Sequence, residues 1–171
     1  MRPVRGIVVV ALLAGLPLTL AAWPQQAPLF DPTPWSGDCD SIESVPLRQH
    51  VNYDTDIQPI WSQRCANCHV DWGEFPEADL DLNPPNSWYF LVDQASSNPN
   101  ATQIRVVPGQ PRQSLLFTKL NCAIQDVGLR MPRARPDLPL DEQALVHDWI
   151  LAGAPEHGDD TIFRGGFQPR G

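Results

Sequence analysis

This sequence predicts an all-α domain of short helices joined by long proline-rich loops, and three observations carry that expectation. Ile57, Ile60, Trp61 and Cys65 recur at helical spacing. Leu145 with Trp149, and Val146 with Ile150, make apolar pairs four residues apart near the other end of the chain. The 171 residues include 19 prolines, too many for long uninterrupted helices. Hydrophobic residues make up 42 %, six Trp among them, which is enough for a packed core.

The elements follow in order. Residues 1–22 read as a signal peptide: Arg2 and Arg5 supply the positive start, Ile7 to Leu20 is apolar, and Ala21-Ala22 offers a cleavage site. The apolar run is short for a membrane span and contains Gly15 and Pro17, so no stable anchor is expected after cleavage. Residues 23–50 form a Pro-rich N-terminal extension with Pro24, Pro28, Pro32, Pro34 and Pro46. The domain itself is expected over 51–155. Its first helix starts near Asp54 or Thr55, either of which can cap it, and tolerates Pro59 in its first turn. A second short helix is expected around Trp88, Leu91, Val92 and Ala95, and a third over Ser114 to Leu120. The last runs from Asp141, as cap, to about Ala152, with Gly153 at its end. Residues 70–86, 96–112 and 121–140 read as loops, and 156–171 as a flexible tail.

Charge narrows the function classes. The formal net charge is −8, and 12 of the 20 acidic residues lie between 31 and 93, where Arg48 and Arg64 are the only bases. Such a chain has no basic face to spare for nucleic acid.

The chemistry concentrates in Cys65-Ala66-Asn67-Cys68-His69. Two thiols three positions apart can each form a thioether to one vinyl group of a haem, and the next residue then presents imidazole to the iron. Zinc would need a second ligand pair, and Cys39 and Cys122 are too isolated to supply one. A thioredoxin-type motif would need a βαβ context that the pattern lacks. One covalently bound haem c is therefore expected on Cys65 and Cys68, with His69 as an axial ligand.

Met131 is the only thioether left once Met1 departs with the signal peptide, and Pro132 stiffens its loop. It is the expected second axial ligand, with His50, His147 and His157 as rivals and a core methionine as the plainer role. His147 is expected on the solvated side of the last helix. Arg130, Arg133 and Arg135 either pair with haem propionates, mark an electron-exchange rim, or simply solvate the loop. In an oxidising compartment Cys39 and Cys122 are expected to pair, two buried free thiols being the alternative.

With these residues placed, the chain resembles the small class I (monohaem) cytochromes c, closest to the bacterial planctomycete-type cytochrome c domain. The resemblance covers about residues 51–155. It rests on Asp56-Ile57-Gln58-Pro59-Ile60 before the Cys65–His69 motif, then Val106-Val107-Pro108-Gly109, Ser114-Leu115-Leu116, Arg130-Met131-Pro132 and Trp149-Ile150 before Gly153-Ala154. It implies a helical fold around one haem, with His69 proximal and Met131 distal. It also implies that the first and last helices cross, with Trp149 near Ile57 and Trp61. The function implied is extracytoplasmic, periplasmic where a periplasm exists: single-electron transfer between redox partner proteins, without enzymatic bond-making. The alternatives are a haem enzyme or gas sensor with an open sixth position, and a haem-bearing docking module of a larger redox complex.

Overall fold

In the computed structural model, which describes residues 38–70, 76–123 and 127–157, Asn52 caps the first helix. Its side chain accepts from the Thr55 amide at 3.0 Å, so the cap lies earlier than Asp54 or Thr55. The expected signal peptide, most of the Pro-rich extension and the tail beyond residue 157 lie outside the described residues.

This first helix, α1 (53–65), is wound unevenly. Tyr53–Ile57 and Trp61–Cys65 close wide, five-residue turns on either side of the α-helical turn Gln58–Ile60. Pro59 sits in that central turn, where the wide winding removes the demand for its missing amide. Among the described residues three further α-helices follow, α2 (Ser87–Leu91), α3 (Leu115–Asn121) and α4 (Leu140–Leu151), with single 3-10 turns at Glu77–Asp79 and Pro111–Gln113. No strand occurs among the described residues, and the all-α expectation holds at that level.

Three boundaries differ from expectation. α2 stops at Leu91, because Val92 turns extended and pairs with Val106, and Ala95 pairs with Ile104. Two β-branched valines facing each other suit extended backbone better than helix. Asp141 is not the cap of α4: Pro139 holds that position without a side-chain hydrogen bond, and Asp141 with Glu142 occupies the first turn. Gly153 does end α4, in the left-handed region at φ +101°. There the Ala154 amide reaches the Trp149 carbonyl and the Gly153 amide that of Ile150, a closure that needs a residue free to adopt positive φ.

The core forms where α4 packs on the start of α1. Ile57, Trp61, Phe117, Val146, Trp149 and Ile150 are wholly excluded from water. Tyr53 lies against Trp149, ring centroids 5.2 Å apart, and its hydroxyl accepts from Trp61 Nε1 at 3.2 Å. The same hydroxyl donates to Ser87 Oγ at 2.7 Å, Ser87 donates to Gln58 Oε1, and Gln58 Nε2 donates to the Leu82 carbonyl at 2.9 Å. Burial pushes the Tyr53 phenol up to about 12, so it stays a donor at every physiological pH. This chain of bonds satisfies polar groups that would otherwise cost free energy inside an aromatic core.

Removing one link should therefore be costly. Tyr53→Phe leaves the buried Trp61 N–H and a Ser87 lone pair without partners. It should lower stability by about 1–3 kcal/mol. Urea denaturation checks this through a reduced midpoint at unchanged slope; an unchanged midpoint would show that the hydroxyl contributes nothing.

Candidate functional site

The Cys65–His69 segment leaves the end of α1 as one tight turn. The Ala66 amide still bonds back to Trp61, and the Cys65 carbonyl accepts from both the Cys68 and the His69 amides, each at 3.1 Å. Cys65 and Cys68 are free thiols; Cys68 is exposed, while Cys65 is half-buried and packs against the core. Burial pushes the Cys65 thiol up to about 12. Arg64, one residue earlier, grips Glu142 at the start of α4 with two nitrogens, at 2.8 and 3.1 Å, and so fixes the end of α1 on the last helix.

Residues 77–82 return alongside this turn and bind it three times. The Glu77 amide reaches the Cys68 carbonyl at 3.0 Å, the Leu82 amide reaches the His69 carbonyl at 2.7 Å, and His69 Nδ1 lies 2.9 Å from the Glu77 carbonyl. A carbonyl oxygen can only accept, so Nδ1 carries the proton and Nε2 keeps its lone pair. Burial also lowers the pKa of His69, with only partial opposition from that carbonyl, and favours the neutral ring. The result is a half-buried imidazole whose Nε2 keeps a lone pair able to bind a metal, its orientation set by a backbone acceptor.

The turn that supplies this acceptor is itself unusual. Ala78 and Asp79 both adopt left-handed backbone, at φ +61° and +48°. For a residue with a Cβ such as Ala78 this costs about 1–2 kcal/mol, so something else holds the turn. Arg105, buried, donates to the carbonyls of Ala78 at 2.9 Å, Asp79 at 3.3 Å and Phe90 at 2.8 Å, and Ser97 Oγ donates to Ala78 as well.

Met131 lies half-buried against the same core cluster as Cys65, its amide bonded to the Lys119 carbonyl at 2.8 Å. Its loop is tied to the end of α1 by Arg135, whose Nη1 donates to the Gln63 carbonyl at 3.3 Å. Arg130 is committed elsewhere. It bonds the Leu120 carbonyl at 3.0 Å, pairs with Asp40 and reaches Asp137 at 3.4 Å. Arg133 and Arg135 are exposed.

A disulfide between Cys39 and Cys122 brings residues 38–40 onto the end of α3, 83 positions away in the chain. Asp40 then enters a polar knot with Asn121 and Gln143, both fully buried. Gln143 donates to the Asp40 carboxylate at 2.9 Å, and Asn121 donates to the Asp40 carbonyl and to Gln143 Oε1. The two cysteines and Asp40 together steady the Arg130-Met131 loop.

The three rival histidines have other surroundings. His147 is not on a solvated face: it lies edge-on to Phe117, centroids 5.3 Å apart, with Nδ1 3.0 Å from Asp148. Packing of α3 on α4 explains the difference, since helical periodicity alone cannot say which side a neighbouring helix covers. His157 is exposed beside Asp54 and Glu156, and His50 is exposed in left-handed backbone.

A groove of about 420 Å³ lies elsewhere, between Val45–Arg48, α1 and the start of α4, and none of Cys65, Cys68, His69 or Met131 lines it. Three of its four acids are engaged: Asp56 with the Arg48 side chain, Asp148 with the Arg48 amide, and Glu142 with Arg64. Among the described residues no group of three or more His, Cys, Asp and Glu converges as a metal cage. Compared with protein-family models, with curated proteins and with solved structures, the chain matches none.

Sequence reading missed Arg105, Asp40 and the 77–82 strap. Arg105 left a faint signal, a lone charge within the apolar run Ile104 to Val107. Backbone carbonyls leave none. Asp40 offers a test of the knot beside Met131. The Arg130 guanidinium, helped by Gln143, holds its carboxyl below the usual value of 3.8 against the effect of burial. Its contribution is therefore complete above that value and is lost as pH falls through the lower folded pKa. The stability difference between wild type and Asp40→Asn should shrink between about pH 7 and about pH 3. Urea titrations at the two values check this, and a constant difference contradicts it.

Proposed function

We propose that this chain is an exported c-type cytochrome: a single-electron carrier with one haem attached through Cys65 and Cys68, axially ligated by His69 and Met131. The observation that carries the reading is the state of His69. Its Nδ1–H is committed to the Glu77 carbonyl, which leaves Nε2 free, on the residue directly after two free thiols on one turn. The residues present fit the group. Each thiol can add its S–H across a vinyl double bond, consuming no oxidant, and the neutral imidazole and the thioether complete a donor set suited to haem iron.

When bound, the haem supplies a one-electron ferrous–ferric couple. The protein's own residues do the rest. Cys65 and Cys68 retain the group through local openings of a small domain. His69 is held in one tautomer and one orientation. Met131, on a loop steadied by the Lys119 carbonyl, Arg130 and Arg135, would offer its thioether to the iron, a donor that favours the ferrous state. The partners are redox proteins on either side of this carrier, and a signal peptide over 1–22 places the reaction outside the cytoplasm.

Closure of the sixth position separates a carrier from a haem enzyme or gas sensor. Ferrous wild type should bind carbon monoxide slowly or not at all, whereas Met131→Ala should bind it rapidly and show a lower reduction potential. Stopped-flow absorbance and a redox titration check both. Wild type that binds carbon monoxide as fast as Met131→Ala would overturn the carrier reading in favour of an open-site protein.

A further inference from the structure

We infer that Arg105 is a positioning residue for the His69 ligand, acting through the backbone turn 77–79; the inference rests on the haem reading above. Ala78 and Asp79 stand consecutively in left-handed backbone, a conformation that residues with a Cβ leave when nothing holds them. Glu77, directly before them, owns the carbonyl that takes the His69 Nδ1 proton. If 78–79 relax, the Glu77 carbonyl swings with them.

Arg105 supplies the restraint. One nitrogen, Nη2, donates to the carbonyls of both left-handed residues, while Nη1 anchors on Phe90 at the end of α2. The planar fork is what lets a single side chain span three acceptors, something a lysine ammonium does less well. The fork is itself held: Arg105 is buried, its amide bonds to the Gln94 carbonyl, and its carbonyl takes the Leu116 amide of α3. The path therefore runs from α2 and α3, through a guanidinium, to a strained turn and on to one proton of the imidazole. It explains a buried charge whose hydrogen bonds go to backbone carbonyls of a turn rather than to a carboxylate.

The readout is the His69 Nδ1 proton itself. Its exchange with solvent can be followed by NMR in the ferrous, haem-loaded protein, in wild type, Arg105→Met and a Val146→Ala control matched in lost stability. Arg105→Met should exchange about tenfold faster than wild type, the scale on which ligand-supporting partners act, while the control stays at the wild-type rate. Should Arg105→Met fail to accumulate, Arg105→Lys keeps the charge but loses the fork, and its exchange should again exceed that of the control. Exchange in the arginine variants no faster than in Val146→Ala overturns the inference and leaves the haem reading intact. Protein that carries no covalent haem overturns the haem reading instead.

Discussion

Tyr53 touches both of the fully buried indoles among the described residues, stacking at a tilt on Trp149 and accepting from Trp61, and the remaining structure depends on that contact. It joins the first helix to the last across most of the chain. A phenol placed there must have its hydroxyl satisfied, and the bonds that do so run outward through Ser87 and Gln58 to the Leu82 carbonyl. Leu82 is also the residue whose amide holds the His69 carbonyl. Core packing and the backbone of His69 are thus two ends of one hydrogen-bonded path.

A second set of restraints acts on the opposite loop. Residues 38–40 are stitched to α3 by the Cys39–Cys122 disulfide and by backbone bonds on both sides of it. Asp40 is thereby delivered to Arg130, Gln143 and Asn121. Each partner in that knot is accounted for, and among the described residues no buried side-chain nitrogen or oxygen lacks a hydrogen bond. A loop with Arg133 and Arg135 exposed would otherwise have little to keep Met131 against the core.

Much of this was legible in the residues and some of it could not be. The helices of 53–65 and 140–151 announce themselves because apolar side chains repeat at 3.6-residue spacing, and Gly153 marks an end where positive φ is needed. That Cys65, Cys68 and His69 share one turn is readable because their spacing is local. Caps were misplaced by a few residues, since Asn52, Asp54 and Thr55 all offer suitable oxygens and only the folded backbone chooses among them. Val92 and Ala95 read as helix until the chain brings Val106 and Ile104 beside them. The Glu77 carbonyl and its support by Arg105 were out of reach, because backbone acceptors have no letter and the contacts span 27 positions or fewer with no periodic sign.

On the proposed reading, the turn leaving α1 holds a covalent cofactor on two thiols. Intact-mass measurement of the protein exported by a host with a haem-maturation system tests it most directly, followed by digestion and sequencing of the coloured peptide. The account predicts a mass increase of one haem, with both Cys65 and Cys68 modified on a single peptide that also contains His69. An exported protein of unmodified mass, with Cys65 and Cys68 still open to alkylation, would contradict it.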